Sequence, residues 1–420
     1  MELLVKKIVY PGKSLGYFEG KIVFTDEGLP DELVKIEILK EKKNYIEAKT
    51  IRILKPSPYR VESQCAHFKA CSGYQYIDYP FQLKIKESHL KEFFLHHLKI
   101  NLEDNIIKPS PSIWGYRNKA RLHIIWENNT PYLSYHQKDS FNEYLKIDNC
   151  FLLSPEINNA LQTLLNIVRD KKMDFIKEVL VRQSSFTNDI LLALYVNSLK
   201  DIGAISKNLY DLKLHFPIKG IVCITKDNKE TLLFGENTLE EKIEDKTFFI
   251  GAESFFQINT PMLKEAIKDI KLNLKLTGKE TIADLYCGVG TFGIVLAQGA
   301  KRIIAVESSP LNTYFLKKNI AVNNINNFTF HEGLSEDLID KVLGQKVDIL
   351  ILDPPRTGLH SNVTKNILQK HPSLILYISC NPATLVRDLK ILLGKYKLKW
   401  LQSYDFFPHT PHIETMCLLG

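Results

Sequence analysis

From about residue 251 onward, apolar β-branched runs alternate with stretches of helical periodicity. The runs are TIADLY, RIIAVE, FTF, VDILILD and LILYIS. Short continuous apolar strands joined by helices are buried on both faces, and a parallel, doubly wound α/β sheet is the arrangement that buries them. In such a sheet, ligands are handled beyond the carboxyl ends of the strands. Three of those ends carry unusual chemistry: DLYCGVGTFGI at 284–294, LDPPRTGL at 352–359 and LILYISCNPATLVRDL at 374–389.

The first 250 residues have a different texture. Residues 1–56 read as short β runs split by the turn signals PGKSLG and DEGLPDE, with lysines at 6, 7, 13, 21, 35, 40, 42 and 43. A small basic all-β unit of this size fits an OB-like barrel, a platform for nucleic acid. Residues 57–250 read as a central α+β region. It has a helical pattern at 81–100, antiparallel strands over 113–150 and further strands such as DILLALYV and KGIVCIT. The expected division is therefore 1–56, 57–250 and 251–420.

Composition narrows the class. No run approaches the ~18 apolar residues of a membrane span, and the N-terminus has too short an apolar stretch for a secretory signal. A cytoplasmic chain with no membrane partner is expected. Seven cysteines over 420 residues do not form a disulfide framework. A net charge of +7 is compatible with an RNA partner.

The glycine loop after TIADLY lets the backbone approach a ligand closely at Gly288 and Gly290. Roughly 20 residues further, Glu307 ends the next strand, where an acid can bind ribose hydroxyls. This pair does not distinguish a dinucleotide from S-adenosylmethionine. Asp353 opens an Asp-Pro-Pro turn, which is rigid and leaves a carboxylate at the strand tip. Cys380 sits where a buried strand breaks ahead of a helix, a place that can expose a thiol and lower its pKa.

Taken in order, YRNKARL (116–122), FFQIN (255–259), DLYCGVGTFG (284–293), LDPPRTGL, ISCNPATLVRDL (378–389) and PHTPHIETMCLL (408–419) resemble the RNA uracil-5 methyltransferase family. The likeness spans nearly the whole chain, and its N-terminal part looks like a TRAM domain. The resemblance implies a Rossmann-like domain that uses S-adenosylmethionine, contacted by Gln257, Tyr286, Glu307 and Asp353. It implies Cys380 as the nucleophile that adds to C6 of uracil and Glu414 as the base that removes the C5 hydrogen. Its expected substrate is a uridine of RNA, 23S ribosomal RNA first and transfer RNA as the alternative, modified by a monomer. A non-catalytic RNA-binding assembly factor is the rival from another class. A cytosine-5 enzyme would carry a second cysteine where this sequence has DPPR.

Two positions depart from the pattern: Thr291 stands where relatives often carry Asn, and Leu334 where an acid or amide commonly reaches adenine. Members acting on ribosomal RNA often hold an iron–sulfur cluster on four cysteines. Here Cys65, Cys71 and Cys150 fit, but the third position is Tyr74, so a cluster is not expected and no other metal site is. Arg117, Lys119 and Arg121 alternate along a predicted strand and are expected to share an RNA-facing side.

Overall fold

A computed structural model describes residues 1–68, 73–136, 143–197, 202–227 and 229–420. Strands Glu2–Val9, Lys13–Phe18, Lys21–Thr25, Leu33–Glu41 and Tyr45–Lys55 close into a barrel in which the fifth strand lies between the third and fourth. Alternate residues (Leu3, Val5, Val23, Val34, Ile36, Ile46) fill its interior, as the two-residue period of a strand requires. The first turn is tight: the Gly12 N–H donates to the Val9 carbonyl at 2.7 Å, with Gly12 at φ +105°.

The barrel is seated on the rest of the molecule by polar contacts. Arg60 donates to Glu32 through Nε and Nη2 and to Glu27 through Nη1, at 2.6–2.8 Å. Lys7 pairs with Glu92, and His89 bonds the Ile8 carbonyl, both from the helix Tyr79–Leu98.

The central region is a seven-stranded sheet, ordered Glu230–Gly235, Ile218–Thr225, Ile190–Val196, Ile176–Gln183, Lys119–Glu127, Thr130–His136, Tyr144–Lys146. The helices Pro155–Asp170 and Ile202–His215 cover one face, and a core containing Leu161, Leu164, Val179, Leu192 and Leu209 lies between.

The C-terminal sheet has eight strands in the order Phe328–Glu332, Arg302–Glu307, Thr281–Leu285, Ile349–Leu352, Leu374–Ser379, Glu414–Leu419, Leu398–Tyr404, Ile107–Lys108. The first five are mutually parallel, as the strand–helix alternation predicts. Glu414–Leu419 runs antiparallel to its neighbours.

Packing crosses the expected boundaries. The helix Tyr79–Leu98 adds Leu90 and Phe94 to the core beneath the C-terminal sheet, and Ile107–Lys108 supplies its edge strand. The hairpin Leu239–Ile243/Lys246–Ile250 is bound by Asn319 of the helix Pro310–Val322 and by its C-cap residue Asn323. Local periodicity fixes the type of these elements. It carries no information on which core they join.

Candidate active site

The carboxyl ends of the parallel strands open on a cavity of about 810 Å³. Its wall includes Gln257, Tyr286, Glu307, Asp353, Cys380 and Glu414, so the six residues singled out from sequence converge on one space. Leu334, half exposed, also lines it, whereas Thr291 is buried in the first turn of the helix after the glycine loop.

The sheet itself brings Cys380 and Glu414 together. The strands Leu374–Ser379 and Glu414–Leu419 pair so that Ser379 faces Thr415. Continuing that antiparallel register by one step sets Cys380 beside Glu414, in spite of the 34-residue separation in sequence.

Burial and charge set the protonation of both. Glu414 is 4% exposed; desolvation, reinforced by Asp353, raises its carboxyl well above the ordinary value, against the opposing pull of Arg356. Desolvation likewise pushes the Cys380 thiol up to about 11, helped by the negative charges of Glu414 and Asp353 and opposed by Arg356. This corrects the expectation of a lowered thiol pKa. The strand–loop–helix position is as anticipated, but burial, reinforced by two carboxyls remote in sequence, outweighs it. Burial also raises the half-buried Asp353, to about 7.

The glycine loop is held from below. The Glu307 carboxylate accepts from the Gly288 N–H at 2.8 Å and from the Ser309 N–H at 2.7 Å. Gly288 has φ +58°, and a Cβ there would meet only the Phe255 ring, at 3.3 Å, so the loop presents bare backbone to the cavity. Tyr286 adopts φ +62°, an uncommon conformation for a residue with a side chain.

Sequence reading missed Asp284, which is wholly buried beneath this loop. Its Oδ2 accepts from the Gly293 N–H at 2.9 Å, and its Oδ1 has no hydrogen-bond partner among the described residues. Burial raises it to about 7, with Asp353 and Glu307 adding to the rise. An unsatisfied carboxylate beside two further acids suits a cofactor that carries positive charge, as a sulfonium and an ammonium do.

Asn118, within YRNKARL, was also missed. Its Nδ2 donates to the Gln257 carbonyl at 3.0 Å and so fixes the FFQIN segment. Asn259 continues that support by donating to the Phe406 carbonyl and capping the helix Thr260–Leu274.

The cations expected to face RNA are engaged elsewhere. Arg117 precedes the strand, and Lys119 and Arg121 both pair with Glu253. Arg121 also binds Glu178 at 2.5 Å and lies 4.0 Å over the Tyr195 ring. Burial pushes Lys119 down to about 7. The shared face exists, but acids from two other segments neutralise much of it.

Of the cysteine positions, Cys65 is buried and Cys150 half-buried, and burial, with a smaller push from Cys150, raises the Cys65 thiol. Tyr74 is buried at the third position, and Cys71 lies outside the described residues. Among the described residues no group of three or more His, Cys, Asp or Glu is placed to hold a metal ion, and no helix is long and apolar enough to cross a membrane.

The sequence matches the family described as tRNA (Uracil-5-)-methyltransferase over residues 78–420, and the TRAM domain over residues 1–51. The chain belongs to the tRNA (Uracil-5-)-methyltransferase family. As a member, it is an S-adenosylmethionine-dependent RNA uracil-5 methyltransferase. It is 30% identical to an uncharacterized RNA methyltransferase of Listeria innocua, aligned over 99% of this chain and 96% of that protein. An uncharacterized RNA methyltransferase of Clostridium tetani is 29% identical over the same shares. Among solved structures it resembles the Pyrococcus abyssi tRNA (uracil-54, C5)-methyltransferase, crystallised with S-adenosyl-L-homocysteine. The TM-score is 0.78 at 25% identity, and the match covers 100% of this chain and 99% of that one.

Proposed function

We propose that this methyltransferase modifies C5 of a uridine through a covalent bond between Cys380 and C6, with Glu414 as the base. The observation that carries this reading is the strand register that sets Cys380 and Glu414 side by side in the cavity.

Uracil C5 is a poor nucleophile. Addition of the Cys380 thiolate to C6 moves electron density to C5 and O4 and makes C5 reactive. Arg356 favours the thiolate that this step needs. S-adenosylmethionine, when bound, supplies an electrophilic methyl group; Gln257, Tyr286, Glu307 and Asp353 line the space for it, with Asp284 below. C5 then carries both the new methyl and its original hydrogen. Glu414 takes that hydrogen as a proton, the C5–C6 double bond re-forms, and Cys380 leaves. A carboxyl whose proton affinity is raised by burial is a stronger base than one in water.

For the target we propose ribosomal RNA, 23S first, handled by a monomer. The TRAM-like barrel of residues 1–56 and the central region of residues 57–250 would grip nucleotides around the reacting base. Cys65 and Cys150, at positions where ribosomal-RNA members often bind a cluster, support this target. Transfer RNA is the second reading: the Pyrococcus abyssi protein acts on it and spans the same length, barrel included. Mapping 5-methyluridine in ribosomal and transfer RNA from a strain lacking this gene, and again after complementation, decides between them. Loss at one or two 23S positions supports the first reading, and loss only in transfer RNA replaces it with the second.

A further inference from the structure

A second cavity, of about 190 Å³, lies at the seam between the barrel and the helix Tyr79–Leu98. Tyr10 enters it from the barrel's first turn, and His89, Glu92, Phe93, His96 and His97 enter it from the helix. The rings are ordered. Phe93 and His97 lie 6.0 Å apart and 20° from parallel, while Tyr10 meets Phe93 edge-on at 5.7 Å and His89 at 6.1 Å.

The cavity is close to neutral. Glu92 is paired with Lys7. His89 is 2% exposed, and burial holds its pKa below the ordinary value. Its Nε2 lies 2.9 Å from the Ile8 carbonyl, which only accepts, so this nitrogen carries the proton. The space is several times the ~30 Å³ of one liquid water, which is room for one planar heterocycle among rings.

Tyr10 links this seam to the chemistry. The turn that carries it packs on the C-terminal segment: a Cβ at Gly12 would lie 3.4 Å from Pro411, three residues before Glu414. Burial raises the Tyr10 hydroxyl pKa, and the charges of Arg356 and Cys380 act on it in opposite senses. The exposed Lys6 and Lys13 flank the turn, where phosphates would pass.

We propose that the seam cavity is a subsite for the base of a nucleotide flanking the target uridine in single-stranded RNA, with Tyr10 as a positioning residue that stacks on that base. This rests on the RNA methylation reading and extends it to the substrate's neighbours. Extracting a uridine from its stack costs free energy. Receiving a second base among aromatic rings offsets part of that cost, without demanding a particular sequence.

The test uses the full-length protein and short oligoribonucleotides with 5-fluorouridine at the target position. Tyr10→Ala and His97→Ala are each expected to weaken oligonucleotide binding about tenfold. Tyr10→Phe keeps the ring and is expected to bind as wild type does, and S-adenosylhomocysteine affinity is unchanged in all three. In the Cys380 adduct, 2-aminopurine scanned along the oligonucleotide is quenched at one flanking position in the wild type and bright there in Tyr10→Ala. Equal binding by wild type, Tyr10→Ala and His97→Ala overturns the subsite, as does a quenching profile that Tyr10→Ala leaves unchanged. Failure of any adduct to form, with binding still weakened in the variants, overturns the covalent mechanism and leaves the subsite standing.

Discussion

The Tyr377 hydroxyl donates to Asp388 Oδ2 at 2.7 Å, tying the strand that ends just before Cys380 to the helix that follows it. The same oxygen accepts from the Leu359 N–H at 2.8 Å, and Arg387 Nε donates to Oδ1 at 2.8 Å. One buried carboxylate thus sets the spacing between the Cys380 turn and the loop that carries Asp353 and Arg356. The fit is close enough that a Cβ on Gly358 would stand 2.6 Å from Asp388 Oδ2.

Asp388→Asn puts an amide among donors, so one of its contacts becomes repulsive. Buried charged hydrogen bonds of this kind are worth about 1.5–3 kcal/mol. We expect single-turnover methyl transfer to slow by at least tenfold, with S-adenosylmethionine affinity reduced by no more than a few-fold. Tyr377→Phe, which removes one donor, should have the smaller effect. Asp388→Asn with wild-type single-turnover kinetics would show that the loop spacing is set elsewhere.

Under the proposed mechanism, the raised thiol of Cys380 is expected to make the reaction pH-dependent. With a thiol pKa of about 11, the reactive thiolate increases tenfold per pH unit up to that value. Glu414, also raised, acts only after methyl transfer, so its ionisation does not enter this step. The kcat/KM for RNA is therefore expected to climb between pH 6 and 9 with a logarithmic slope of about one. Arg356→Gln removes the cation that opposes the rise, so its profile should move to higher pH. Cys380→Ala should show no methylation at any pH, while retaining cofactor binding and losing the covalent adduct with 5-fluorouridine RNA. A flat profile for the wild type would mean that thiol ionisation does not limit the free enzyme.

Glu414→Gln retains the shape of the site and removes the proposed base. Attack by Cys380 and methylation should proceed, but C5 keeps its hydrogen and the thiol is not expelled. A protein–RNA adduct that survives denaturation should accumulate with ordinary RNA, detected as a shifted band carrying a labelled methyl group. Normal product release by this variant would assign the proton transfer to another group, with Asp353, whose charge acts on Glu414, the first candidate.

The parts of the site that were legible in the sequence are those written at strand ends. Cys380, Asp353, Glu307 and the glycine loop each follow an apolar run directly, so their position at the sheet's carboxyl edge follows from periodicity. Glu414 begins a strand, and its place beside Cys380 depends on an antiparallel pairing that no local pattern encodes. Asn118 and Asp388 were hidden for a related reason: each acts on backbone contributed by a distant segment. Asp284 was the readable omission, an acid set in an apolar strand directly before a glycine loop. The raised Cys380 pKa was unreadable because it is the sum of three charges and a burial that exist only after folding.

Glu241 offers a stability prediction away from the chemistry. Its Oε1 accepts from the Ser185 N–H at 2.7 Å, but Oε2 has no partner among the described residues, and burial raises the carboxyl to about 7. A folded-state pKa above the unfolded value of 4.5 means that the contribution is complete below pH 4.5 and is lost as pH rises through 7. The loss amounts to roughly 3 kcal/mol at high pH. Glu241→Gln stays neutral, so it should exceed wild type in denaturant unfolding at pH 8.5 and show no advantage at pH 4.5. An advantage equal at both pH values would trace the effect to packing instead of ionisation.

The barrel lysines differ from the cations of the central sheet in being unspent. Lys13, Lys35, Lys42 and Lys43 are exposed and make no ion pair among the described residues, whereas Lys7 and Lys21 are held by Glu92 and Glu41. Exposed cations on a small barrel bind phosphates by displacing counterions, and each such contact adds about 0.7 to the slope of log affinity against log salt for a single strand. Deleting the barrel is a poor test, because it also strips Arg60, Glu92 and His89 of their partners. Replacing these four lysines with glutamine leaves those contacts in place. The variant is expected to bind RNA more weakly at low salt and to converge on wild type at high salt, with a slope shallower by about two to three. S-adenosylhomocysteine affinity and the thermal midpoint should hold. A fourfold variant whose salt slope matches wild type would place the phosphate contacts on other cations, such as the exposed Lys6 and Lys40 of the barrel or those of the central and C-terminal sheets.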